Sequence, residues 1–381
     1  MRVLHFCIQS EKDDGIVRSY ISALLTCMAN MADVKLLTSN NKNEAKEFQP
    51  EIVHIHDCWN HPSAEMAKWA HSHNIPVVIS PHGKLNPWIV DQKYLHEKLP
   101  KLLLYQHEMI CNADAIVVSG EMERLNMSEL SWNEHLKSKL PWNSRIEIIK
   151  NSIITNDIND VEMTRQMMQL YRKVLDSNAW MLMNDETRIA ENALLRTGVA
   201  HDEQSDTITD EQIGIISRLD EESWRKILIH ADEEDVLDIV MKAVHKRQFN
   251  APNIAIKQIE RFSLRVPKPT GPLERKKLLG SSLKTKFKSL RHDFGDCLEL
   301  DICRMIANAS FEMHKATLSR HHLADIYEEF RYVEFDEDKF AKMLKYIDMI
   351  EFVMKLQETL EEMFGLTEGF MPIPPRTKNT N

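Results

Sequence analysis

The chain has 381 residues, 43% of them hydrophobic and 28% charged, enough for two domains that each bury a core, and a composition that excludes disorder along its whole length. A formal charge of -10 disfavours bulk nucleic-acid binding. No apolar run approaches the roughly 20 residues of a membrane span.

The first apolar stretch, Val3-Leu4-His5-Phe6-Cys7-Ile8, is short and runs into Glu11-Lys12-Asp13-Asp14, so it reads as a strand and not as a signal peptide. Five further short apolar runs follow, at 34–37, 52–55, 76–79, 115–118 and 146–149. Helical patterns lie between them at 15–28, 62–73 and 91–110, with a shorter one from Glu121. Almost continuously apolar strands separated by helices predict a doubly wound α/β domain with a parallel sheet covered on both faces. In such sheets ligands collect at the carboxyl ends of the strands. The six cysteines show no Cys-x-x-Cys spacing, which fits free thiols in a reducing cytoplasm.

The strand-end rule points to three loops. The first ends in Asp13-Asp14-Gly15, where a helix opens with Ile16-Val17-Arg18; the glycine would let backbone approach a ligand, and a helix N-terminus favours an anion. There is no Gly-x-Gly-x-x-Gly and no Walker sequence, so dinucleotide and P-loop chemistry are unsupported. The third strand runs through His54-Ile55-His56-Asp57-Cys58-Trp59. His54 and His56 share one strand face, as metal ligands do, but the carboxylates that would complete a binuclear site do not follow, so no metal is assigned. His56, at the strand end, is the better placed of the two to face a cleft. The fourth strand ends in Ser80-Pro81-His82-Gly83-Lys84, where His82 can donate to a sugar hydroxyl or phosphate and Lys84 can neutralise phosphate charge.

The phrases Pro50-Glu51-Ile52-Val53-His54-Ile55-His56, Ile79-Ser80-Pro81-His82-Gly83, Ala113-Asp114-Ala115-Ile116-Val117-Val118-Ser119 and Arg145-Ile146-Glu147-Ile148-Ile149-Lys150-Asn151-Ser152-Ile153 occur in that order. Together they resemble the N-terminal domain of family 4, GT-B-fold glycosyltransferases, closest to those of bacterial polysaccharide assembly. The resemblance covers residues 1–155 and implies that this domain holds the acceptor while its first loop approaches the donor phosphates. It implies that His82 is the catalytic, sugar-contacting histidine. It further implies that Gly15, Arg18, His56, Trp59, Gly83, Lys84 and Ser119 bind substrate, with no cofactor. Asp13-Asp14 stands where the family has glycine, and two carboxylates would repel a diphosphate. Asn151-Ser152-Ile153 resembles the hinge to the family's second domain.

That second domain does not follow. From Asn159 the chain reads as helices to 371, with capping patterns at Asn159-Asp160-Val161-Glu162 and Thr209-Asp210-Glu211-Gln212, and with Gly198 as a helix stop. Glu203 with Glu211, and Glu329 with Glu337, have the family's glutamate spacing without its glycine-rich surroundings. Asp336-Glu337-Asp338 reads as a helix start. Pro267, Pro269, Gly271 and Pro272 mark a linker, followed by a basic amphipathic segment at 275–291 that could touch an anionic membrane surface or pack its apolar face in the core. A long helix is expected over 338–364, and a frayed tail over 372–381.

The resemblance therefore implies a cytoplasmic glycosyltransferase, retaining and metal-independent, moving a sugar from a nucleotide-sugar donor to a lipid-linked or oligosaccharide acceptor in bacterial surface polysaccharide synthesis. Peripheral membrane contact and a protein partner are expected, and nucleic acid is not. The alternative is a non-catalytic acceptor-binding scaffold that recruits a donor-binding partner.

Overall fold

The computed structural model describes residues 1–8, 15–128 and 142–374. The sequence-predicted Asp13-Asp14 loop and most of the tail lie outside the described residues. The chain divides into two compact units: residues 1–182 with 258–265, and residues 183–257 with 266–381.

Unit 1 is a parallel sheet in the order β2-β1-β3-β4-β5-β6. Its strands are β1 (Arg2–Phe6), β2 (Asp33–Leu37), β3 (Ile52–Ile55), β4 (Val77–Ile79), β5 (Ala115–Val118) and β6 (Ile146–Ile148). All pairings are parallel, and in the β1/β3 register His5 sits opposite His54. The α/β expectation is met because both faces are covered, which is what lets the strands be apolar at nearly every position.

One face carries Leu4, Phe6, Val53, Ile55, Val77, Ile79, Ile116 and Val118 against α3 (His61–Ser72) and the helical stretch that ends in α6 (His107–Asn112). Between α4 (Pro87–Val90) and α6 that stretch contains two π-helical turns, Tyr94–Lys98 and Leu102–Gln106, on either side of α5 (Leu99–Lys101). Pro100 explains the irregularity: it has no N–H to donate, and its ring crowds the carbonyl a turn earlier.

The other face carries Val3, Ile52, Val78, Ala115 and Val117 against α1 (Gly15–Met28) and α8 (Asp160–Ser177). Helix α8 is capped by Asn159 and presents Met163, Met167, Leu170, Tyr171 and Val174 at helical spacing. Unit 1 thus continues past residue 155, because burial of this stripe makes α8 part of the sheet's cover. The segment 258–265 returns to the same core: Phe262 is buried there, its N–H donates to Ser177 Oγ at 2.7 Å, and the Lys173 ammonium lies 4.2 Å from its ring centre. The remaining elements are α2 (Lys42–Phe48), α7 (Glu121–Ser128) and a 3-10 turn at Trp142–Arg145.

Among the described residues, unit 2 is helical and has no strand. Its helices are α9 (Asp185–Val199), α10 (Asp210–Ser217), α11 (Glu221–Glu233), α12 (Leu237–Arg247), α13 (Lys284–Phe294), α14 (Leu298–His314), α15 (Arg320–Tyr332), α16 (Glu337–Tyr346) and α17 (Ile350–Phe364). Thr209 forms the expected capping box, and Asp336 caps α16. Three sequence expectations need correction. Gly198 lies inside α9, where a Cβ would stand 2.2 Å from the Ile239 carbonyl oxygen; it is required by close helix packing and not by a helix stop. The helix over 338–364 breaks between α16 and α17, with Asp348 in the left-handed region at φ 61°. The basic segment is helical only from Lys284, and its apolar residues Phe287 and Leu290 are buried in the unit's core. Arg275, Lys276, Lys286 and Arg291 pair with Glu329, Asp301, Asp348 and Asp296, so part of the segment's basic charge is met within unit 2. No helix of the described residues is long and apolar enough to cross a membrane.

Candidate functional site

The loops after β4, β5 and β6 converge at the carboxyl edge of the sheet, where they enclose a cavity of about 360 Å³. His82, Gly83, Ser119, Glu123, Asn126 and Asn151 are among its walls, with Trp88 and Ile154 as apolar flanks. That volume falls in the roughly 300–1,000 Å³ range of small-molecule sites. Among the described residues its lining holds no lysine or arginine.

The β4 loop is bent sharply. His82 and Gly83 both have positive φ, 51° and 76°, so the second position needs glycine and the first is held against a cost. Glu123, in the first turn of α7, supplies the restraint: its Oε1 accepts from the Gly83 N–H at 2.7 Å, and its Oε2 accepts from the Ser119 N–H and hydroxyl at 2.9 Å each. One buried carboxylate therefore ties the β4 loop to the β5 loop. It also occupies the backbone amides that would otherwise greet an anion.

Behind His82 lies a file of imidazoles on the α1/α8 face. His56 Nδ1 is 3.3 Å from His82 Nε2, and His56 Nε2 is 2.8 Å from His5 Nδ1. His54 is held separately, by the Tyr171 hydroxyl at 2.6 Å and the Ser80 hydroxyl at 2.8 Å. Tyr20 meets the His82 ring edge-on, with centroids 5.1 Å apart. Burial lowers His5 to about 3, and burial with the nearby Lys84 charge lowers His82 to about 4. Burial and the neighbouring imidazoles hold His54 and His56 well below the usual histidine range. All of these rings are neutral at physiological pH.

Ring nitrogens of His5, His54 and His56 lie within 4.8 Å of one another, which is the proximity a metal site would need. Their orientation does not fit one. His56 lies edge to edge with His5 in nearly the same plane and face to face at a tilt with His54, and both nitrogens of His54 and of His56 are in hydrogen bonds. A chelated cation needs lone pairs converging on one point about 2 Å away.

The other sequence-predicted residues are dispersed. Trp59 is buried, with its N–H given to Gln106 Oε1 and its indole Nε1–H to the Lys84 carbonyl, so it packs under the loop and not into the cavity. Lys84 is paired with Asp57 at 2.7 Å. Arg18 lines a separate apolar cavity of about 170 Å³ with Cys7, Ile21 and Leu25. At Gly15 a Cβ would meet nothing within 4 Å, so no steric need for glycine exists there among the described residues. A third cavity, between α3 and α6, shares no lining residue with the first and gathers His61, Glu65, Lys68 and Tyr105.

Residues 20–135 match the family described as Glycosyl transferase 4-like domain. Unit 1 carries a glycosyl transferase 4-like domain. The match contains His54, His56, His82, Gly83, Ser119 and Glu123; His5 precedes it, and the second half of the chain is unmatched. No curated protein and no solved structure gives a match to this chain. The matched domain is glycosyl transferase 4-like, and its sheet brings His82, Gly83 and Ser119 to one cavity, with His56 directly behind. Sequence reading missed His5 and Glu123. The second had a usable signal, an acid in the first turn of a helix after Ser119-Gly120, where it can reach back to backbone amides.

Proposed function

We propose that unit 1 holds the sugar end of a transfer from a nucleotide-sugar donor to a lipid-linked or oligosaccharide acceptor, in assembly of a bacterial surface polysaccharide. The observation that carries this is the cavity at the ends of β4, β5 and β6, with His82 on its wall and its two main loops tied by Glu123. In this reading the neutral His82 orients a sugar oxygen, and the Asn126 and Asn151 side chains on the cavity wall complete the contacts. Retention of anomeric configuration and independence of a metal belong to the same reading, as do a cytoplasmic site of action and peripheral membrane contact.

The helical character of unit 2 favours a second reading. A family member would hold the donor nucleotide on a second parallel sheet, and among the described residues unit 2 has none. The chain would then be an acceptor-binding component whose donor site comes from a protein partner. Calorimetric titration of the full chain with UDP-glucose, UDP-galactose and GDP-mannose separates the two. Binding of any of them, weakened at least tenfold by His82→Ala with an unchanged melting temperature, supports the self-sufficient transferase. No binding alone, with binding restored by an added partner, supports the component reading.

A further inference from the structure

The file His5–His56–His82 has one end in the core and the other at the cavity. His5 Nε2 is buried and has no hydrogen-bond partner among the described residues. His82 Nδ1 makes no hydrogen bond among the described residues, and its ring lines the cavity. Each ring is neutral and carries one proton, so the two hydrogen bonds must run in the same direction along the file. If protons pointed inward, the file would end in an unpaired N–H donor on His5. If they point outward, it ends in a bare lone pair. Buried orphan donors are rarer than under-satisfied acceptors, so the outward order wins.

We propose that His5 and His56 are positioning residues that fix the tautomer of His82, so that its Nδ1–H faces the cavity as a hydrogen-bond donor. His5 Nδ1–H donates to His56 Nε2, His56 Nδ1–H donates to His82 Nε2, and His82 keeps its proton on Nδ1. That proton suits an uncharged sugar oxygen better than a phosphate, because among the described residues the cavity wall carries the Glu123 carboxylate and no lysine or arginine. The sugar assignment rests on the function proposed above; the proton order does not.

The test uses the full chain labelled with ¹⁵N-histidine, without ligand, and long-range proton–nitrogen correlations that tell a protonated ring nitrogen from a bare one. The wild-type chain is expected to show His5, His56 and His82 all protonated on Nδ1. His56→Asn places an amide donor where Nδ1–H was and should leave His82 unchanged. His56→Asp places an acceptor there, and a proton should appear on His82 Nε2. His5→Asp should have the same effect through the intervening His56 ring, which a merely space-filling residue would not produce. A wild-type His82 protonated on Nε2, or a His82 signal identical in wild type and His56→Asp, overturns the proposal. Because these signals need no substrate, they can hold while the nucleotide-sugar titration fails, or fail while it succeeds.

Discussion

Lowering the pH from about 7.5 to about 5.5 is expected to loosen unit 1 selectively, across the range where histidine titrates. His5, His54 and His56 are buried and neutral, with folded pKa values below the usual 6.5; His5 lies at about 3. The unfolded chain takes up protons as pH falls through about 6.5, and the folded one does not. The stability these groups contribute is therefore present above about pH 6.5 and is lost as pH falls from there towards 3. One unit below the unfolded value, each costs about 1.4 kcal/mol, so the three together remove about 4 kcal/mol from a total of roughly 5–15. The groups packed around them, Tyr20 on α1 and Tyr171 on α8, are held neutral by burial and do not compensate. At His230 in unit 2 the sign reverses. Burial alone would lower His230, but hydrogen bonds to Glu191 and Glu234 outweigh it and raise its pKa. Its contribution is complete below about pH 6.5 and fades as pH rises through the raised value. Hydrogen exchange read by mass spectrometry, corrected for intrinsic rates, should show β1 and β3 opening more readily at the lower pH and α9 and α11 not. In His5→Leu the acid sensitivity of unit 1 should fall by about 1.4 kcal/mol per pH unit. Equal opening free energies for β1 and β3 at the two pH values would refute the reasoning.

Glu123→Gln should cost about 2–3 kcal/mol in urea unfolding of unit 1, since the amide must turn a donor towards either the Gly83 or the Ser119 N–H. It should also weaken any nucleotide-sugar affinity by loosening the two loops; unchanged stability would mean that water replaces the carboxylate. Gly198→Ala should lower the melting temperature of unit 2 through overpacking of about 1–3 kcal/mol, because the new methyl meets the Ile239 backbone oxygen at 2.2 Å. Asp114→Ala should destabilise unit 1, as its carboxylate accepts from the Val77 N–H at 2.7 Å and from Asn178 Nδ2 at 3.0 Å; a melting curve identical to wild type would contradict that role.

The strands were legible because a sheet covered on both faces leaves short apolar runs that few other structures produce, and those runs match β1 to β6 to within a residue or two. The shared face of His54 and His56 was legible for the same reason, strict alternation along a strand. His5 was not, since its meeting with His56 depends on the register between β1 and β3, and no local pattern reports pairing across 51 residues. The directions of Trp59 and Lys84 were not legible, because a loop position tells which residue is near an edge but not which way it turns; Gln106 and Asp57 decide that. The break at Asp348 was hidden because aspartate tolerates the left-handed region without the glycine that usually announces it.

The return of residues 258–265 to unit 1 has a bearing on how the protein is made. Phe262 cannot seal the sheet's α1/α8 face until residue 265 has been synthesised, and the whole of 183–257 is made before it. The sheet domain therefore waits, with part of its apolar face open, while the first four helices of the other unit emerge. Birth order and folding order are crossed in this chain, so a truncation after residue 182 yields a sheet that lacks its last covering segment.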